Sequence, residues 1–163
     1  MSTLYVDNLQ PNLGSRVMAA GHVVQVVSAE TNSQVQNTTT SYIDTGLTAT
    51  ITPTSASSKI LILVSQAFTL LSSPDTNNQK QANLVITDGS NTILFGGSGY
   101  DQFRVKEQFA FAWQANLQTT HSPSTTSAIT YKTRLKQMFG TNLIVSTQYN
   151  NNPSSITLME IAQ

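Results

Sequence analysis

A chain of 163 residues with zero formal net charge and only 10% Asp, Glu, Lys and Arg has the length of one domain and far less than the usual share of charged side chains. Ser, Thr, Asn and Gln fill the gap, at about two fifths of the chain against the ordinary globular mix, so the surface is wetted by neutral hydrogen bonds. The zero charge and the many Val, Ile and Thr exclude a disordered polyelectrolyte, and the absence of cysteine excludes disulfides and thiolate metal sites.

Met1–Gln10 lacks the basic and apolar regions of a secretory signal. The stretch 1–21 reads instead as an extended N-terminal arm, with Leu4, Tyr5, Val6 and Leu9 as its apolar residues and Gly14 and Gly21 as flexible points. A sandwich domain over 22–163 follows. Its expected strands are His22–Ser28, Ser41–Asp44, Leu47–Thr52, Lys59–Phe68, Ala82–Thr87, Thr92–Phe95, Phe103–Trp113, Ser127–Met138, Asn142–Gln148 and Ser155–Ile161. Each is a short apolar or alternating run closed by a cluster of turn residues. Asp88-Gly89 marks a tight hairpin, and Asn150-Asn151-Asn152-Pro153 separates the last two strands. The stretches 72–81 and 119–126 carry no packing residues and read as surface loops. Many short strands without a helix predict an all-β, antiparallel, jelly-roll-like β-sandwich.

Alternation assigns the faces. In Phe103–Trp113 the side with Phe103, Val105, Phe109, Phe111 and Trp113 should enter the core, leaving Ala110 and Ala112 on a small, flat outer side. In Ser127–Met138, Ile129, Tyr131, Thr133 and Leu135 point inward. Arg104, Lys106, Lys132, Arg134 and Lys136 then lie on outer faces. If the two strands are neighbours, these form a basic patch, either a solvated face that discourages edge pairing or a docking patch for an anionic partner. Two strands are apolar on both sides: Ile60–Val64, through Leu61 and Leu63, and Ser155–Ile161, through Met159 and Ile161. Such strands need a second cover, from the arm, a loop or another subunit, so Ala110, Ala112, Leu61, Leu63, Met159 and Ile161 are candidate interface residues.

No catalytic or cofactor constellation is legible. His22 and His121 have no carboxylate or second histidine at a recognisable spacing. The acids are scattered through turns and strand ends, Asp44 and Asp88 as turn residues, and Gly96-Gly97-Ser98-Gly99 precedes a strand rather than the helix a phosphate cradle needs. Aromatics assigned to the core and not to the basic side argue against nucleic acid, and no apolar run is long enough to span a bilayer. The expectation is a chain that is not an enzyme, with no cofactor and no membrane insertion.

The segments Gly21–Val27, Ser41–Gln66 and Ile156–Gln163 (GHVVQVV, SYIDTGLTATITPTSASSKILILVSQ and ITLMEIAQ) resemble a β-sandwich module of tailed-phage virion proteins, seen in fibre-like proteins of marine and cyanobacterial phages. The resemblance implies a compact trimeric sandwich, assembled in the host cytoplasm and displayed on the virion surface among major capsid or tail proteins. Because only about twenty residues precede the sandwich here, well under a domain, a head decoration (cement) protein fits better than a long fibre. The other expectations are a short tail-fibre or tail-spike subunit binding a host glycan, and a free carbohydrate-binding module.

Overall fold

The computed structural model describes residues 19–72, 80–97, 103–105, 110–139 and 142–163. The expected arm residues Leu4, Tyr5, Val6 and Leu9 lie outside them, as do Lys106, Phe109 and most of the loop expected at 72–81. The strands are β1 (Val23–Thr31), β2 (Val35–Asn37), β3 (Ile43–Ile51), β4 (Lys59–Ser72), β5 (Lys80–Asp88), β6 (Ile93–Phe95), β7 (Phe103–Val105), β8 (Ala110–His121), β9 (Ile129–Phe139), β10 (Leu143–Thr147) and β11 (Ser154–Ile161). A 3-10 turn at Tyr149–Asn151 is the one helical element among the described residues.

Two antiparallel sheets result. In the six-stranded sheet β4 is flanked on one edge by β8 and on the other by β11 and β10 in tandem, which in turn pair with β1 and β2. In the five-stranded sheet the order is β3-β9-β5, with β6 and β7 in tandem along the far edge of β5. With tandem strands counted as one lane, each sheet is four lanes wide and the chain crosses between sheets at nearly every connection. That is the jelly-roll arrangement of two interlocked Greek keys. The core between the sheets holds Leu47 and Ile51, Ile60, Ile62 and Phe68, Leu84 and Ile86, Tyr131 and Leu135, Ile156 and Leu158, all essentially inaccessible. Each such side chain contributes about 1.5–3 kcal/mol relative to exposure.

Several expectations change. Phe103–Trp113 is not one strand: Phe103–Val105 pairs with β5, whereas β8 begins at Ala110 and pairs with β4 in the other sheet. Alternation alone could not see the crossing, because the apolar period continues on both sides of it. Ser41–Asp44 and Leu47–Thr52 merge into β3, interrupted by a bulge between Asp44 and Thr48 where Gly46 takes φ +82, a conformation glycine adopts without strain. Asp44 is therefore a strand residue and not a turn residue. β8 runs on to His121, so Thr119–His121 are strand rather than loop. At the Asp88 hairpin Asp88 Oδ1 accepts the Ser90 and Thr92 amides at 2.9 and 2.8 Å, and the positive φ falls on Asn91 instead of Gly89.

The junction between β10 and β11 explains a buried polar string. Opposite Gln66 and Ala67 of β4 neither strand supplies a ladder partner, because the chain turns out through Gln148, Asn150 and Asn151, all at positive φ. Buried backbone groups must still be paired. Gln148 N donates to Ala67 O at 3.1 Å, and Ala67 N donates to Ser154 Oγ at 2.8 Å. From there hydrogen bonds cross the core: Gln66 Nε2 donates to Ser154 Oγ at 3.0 Å, Thr133 Oγ1 donates to Gln66 Oε1 at 2.8 Å, and Thr133 meets Thr45. Gln66, Thr133 and Thr45 have no accessible surface, so the string fixes how the two sheets face one another.

Candidate assembly surface

The outer face of the six-stranded sheet gathers residues far apart in sequence. Directly opposed residues in an antiparallel ladder share a face, so the register rows can be followed across it. Val26 lies beside Met159, Met159 beside Leu61 and Leu61 beside Thr120. The next row runs Ser28, Thr157, Leu63, Gln118, and Val23 lies beside Ile161. At the other end Ala110 and Ala112 lie beside Leu71 and Thr69, and Ile144 beside Leu71. All six candidate interface residues, Ala110, Ala112, Leu61, Leu63, Met159 and Ile161, thus fall on one surface. Val23 and Val26, 52% and 54% exposed, join them. The sequence signal for these two was the Val-Val run in GHVVQVV, blurred because the register shift between Val23 and Gln25 breaks strict alternation. Among the described outward residues of this face only Glu30 and Lys59 are charged, both at its margins.

A shallow trough of about 510 Å³ crosses the same face, lined by Leu63, Ser65, Asn116, Gln118, Ser155 and Thr157. A neighbouring hollow shares Ser65 and Ser155 and adds Glu30, Gln114 and Asn152. Some lining groups already have partners: Gln114 Nε2 donates to Ser65 Oγ, and Thr157 Oγ1 meets Ser28 Oγ beside the trough, each at 3.0 Å.

The strands that carry the basic residues are not neighbours, so the condition set for the patch is not met among the described residues. β7 and β9 are separated by β5, so Arg104 is two strands from Lys132, Arg134 and Lys136. Lys132 Nζ and Arg134 Nε each meet an Asp44 carboxylate oxygen at 2.8 Å. Arg134 Nη2 also donates to Tyr42 O at 2.8 Å, and the Lys136 ammonium lies 4.6 Å from the Tyr42 ring centre. The Lys132 and Arg134 charges are paired within the chain. Phe111 also departs from expectation: it lies on the core-facing side of β8 but is 51% exposed, its ring tilted against that of Trp113 with centroids 4.9 Å apart.

Sequence reading missed the most structured ionisable group. Glu160 alternates inward with Ile156 and Leu158 and is fully buried. Its carboxylate accepts Gln25 Nε2 at 2.6 Å and the Thr54 amide and hydroxyl, both at 2.8 Å. Burial pushes its pKa up, but the hydrogen bonds from Gln25, Ser58 and Thr54 outweigh it and hold the group below its ordinary value. It latches β11 and β1 to the β3–β4 connection. At the same end of the sandwich His121 Nδ1 and Tyr131 Oη are 2.8 Å apart, joining the sheets. Burial, then the nearby Asp88 charge, raises the Tyr131 pKa, so the phenol stays neutral. Among the described residues no three His, Cys, Asp or Glu side chains converge as metal ligands, and no helix is long and apolar enough to cross a membrane.

No family model matches the chain, and no curated protein matches it. Among solved structures it is similar to shell proteins of infectious bursal disease virus. For the VP2 subviral particle the identity is 11% and the TM-score 0.40, covering 86% of this chain and 38% of that one. For the T13 viral particle the identity is 11% and the TM-score 0.38, covering 92% and 41%. For the Gt strain the identity is 11% and the TM-score 0.36, covering 98% and 43%. The chain thus spans about two fifths of the length of the viral capsid chains it matches.

Proposed function

We propose that this chain is a non-enzymatic structural subunit of a virus particle, a small surface component of head-decoration type that associates with itself through the outer face of the six-stranded sheet. The observation that carries the reading is that face. Exposed Val23 and Val26 with Leu61, Leu63, Met159 and Ile161 form an aliphatic area with charges only at its margins, whereas free surfaces of soluble domains rarely leave such patches bare. A trimer burying it, with the N-terminal arm reaching onto major capsid or tail proteins, holds a lattice by avidity. The phage-module resemblance of Gly21–Val27, Ser41–Gln66 and Ile156–Gln163 supports the virion setting.

Gold labelling of intact particles with an antibody against the chain tests this. Label spread over the head is the expected result. Label confined to the tail replaces it with a tail-fibre or tail-spike role, and unlabelled particles overturn it. Replacing Leu4, Val6 and Leu9 by Asp should abolish incorporation into particles.

The trough favours a second reading, a glycan-binding module, because amide and hydroxyl side chains around a leucine floor suit a neutral polyhydroxylated ligand. That reading predicts a monomer that binds a glycan array and loses binding on Asn116→Ala with Gln118→Ala.

A further inference from the structure

A sheet edge is a row of unpaired donors and acceptors, and folded proteins blunt it with short strands, bulges, charges or proline. Three of the four lateral edges of this sandwich carry such devices. The β1–β2 edge is bulged between Val23 and Gln25, broken between Thr31 and Val35, and carries Glu30. The β3 edge is bulged between Asp44 and Thr48 and bears Asp44. The edge opposite β3 is made of the three-residue strands β6 and β7. β8 carries none. It pairs with β4 from Ile60↔His121 to Leu71↔Ala110 without a register shift, and Ala110–His121 (AFAWQANLQTTH) contains no charged residue and no proline. Among the described residues β4 is its one ladder partner.

A second observation falls on the same side of the molecule. β6, the outermost lane of the other sheet, packs against β8. Ile93 and Phe95 of β6 are 40% and 38% exposed, and Phe111 of β8 is 51% exposed. Three of the five large hydrophobic side chains exposed among the described residues therefore flank this one edge.

We infer that the outer edge of β8 pairs antiparallel with β8 of a second copy across a two-fold axis, joining two six-stranded sheets into one. The strand suits a partner identical to itself. For opposed residues to share a face, odd positions must meet odd and even must meet even. A two-fold at Ala115 does this: Trp113 meets Leu117 on the core-facing side, and Gln114 meets Asn116 and Ala112 meets Gln118 on the outer side. Because β8 has no charge, no like charges are opposed at any point, and the second copy covers Phe111, Ile93 and Phe95. This contact is separate from the sheet-face association proposed above. Together a two-fold edge and a three-fold face suffice to build a closed shell or lattice from one chain.

Two double variants test the pairing. Gln114→Cys with Asn116→Cys places thiols opposite one another across the axis at a separation a disulfide spans, in a chain with no native cysteine. Mild oxidation should give interchain-linked dimers, and Thr48→Cys with Thr50→Cys, on the outer side of the other sheet, should give none. Gln114→Lys with Asn116→Lys opposes like charges and should weaken self-association in sedimentation by about tenfold or more, with the thermal midpoint little changed. Leu61→Lys with Met159→Lys, altered on the sheet face, should retain the cysteine cross-link when combined with Gln114→Cys and Asn116→Cys, so failure of the face and failure of the edge read separately. Equal cross-linking at the two cysteine pairs, or association unaffected by the lysines, overturns the inference. So does a wild-type chain that stays monomeric and uncross-linked up to its solubility limit.

Discussion

The two outer faces of the sandwich are built from the same alternating strands and use them in opposite ways. The outer face of the five-stranded sheet carries Asp44, Lys132, Arg134 and Lys136, and satisfies them internally through two 2.8 Å ion pairs and the Tyr42 ring. The outer face of the six-stranded sheet carries Val23, Val26, Leu61, Leu63, Met159 and Ile161, with Glu30 and Lys59 at the margins. A chain so poor in charge has gathered four of its charged residues on one side. The lesson is that low overall charge is not uniform neutrality: one face pairs its charges within the chain, and the other carries an aliphatic area with charges only at its margins.

The largest test of this comparison is on the aliphatic face. Leu61→Lys with Met159→Lys should lower the self-association constant about a hundredfold or more, since each side chain is worth about 1.5–3 kcal/mol when covered. Analytical ultracentrifugation reads the change, and unchanged association would erase the distinction between the faces. Next comes the seam between the sheets. Gln66→Leu leaves the buried Thr133 hydroxyl without its acceptor and should cost about 1–3 kcal/mol in urea unfolding, with association preserved in the folded protein.

A comparable or smaller effect is expected at Glu160. Its folded pKa is lowered, so its stabilisation is complete above its ordinary value and is lost as pH falls from there through the folded value. The wild type should therefore lose stability on acidification more steeply than Glu160→Gln, and parallel acid curves would refute the latch. The smallest effect belongs to the charged face. Asp44→Asn should cost about 1 kcal/mol or less, diminishing with salt, and leave association unchanged. Association through the uncharged face should itself be nearly independent of salt.

Much of this molecule was legible because β alternation is a local rule. The inward set Ile129, Tyr131, Thr133, Leu135 and the outward set Lys132, Arg134, Lys136 follow from period two and are found as expected. So does the split of Ile156 and Leu158 from Met159 and Ile161. The crossing between Val105 and Ala110 was not legible, because a change of sheet preserves the period. Nor was the Glu160 latch: an acid in an otherwise apolar strand is interpretable only when Gln25, Thr54 and Ser58, brought from distant segments, converge on it.

The sequence by itself determined an all-β sandwich, the direction most side chains face, and the identity of six residues with no place in a single core. Those are consequences of pattern and composition, which each strand carries alone. Tertiary structure decided that the six belong to one surface, that the basic residues are divided between separated strands with Lys132 and Arg134 paired to Asp44, and that β8 is, among the described residues, the edge without a bulge, a charge or a proline. These depend on which strands become neighbours, and that order is set by long-range ladders whose partners are equally apolar and equally periodic before they meet.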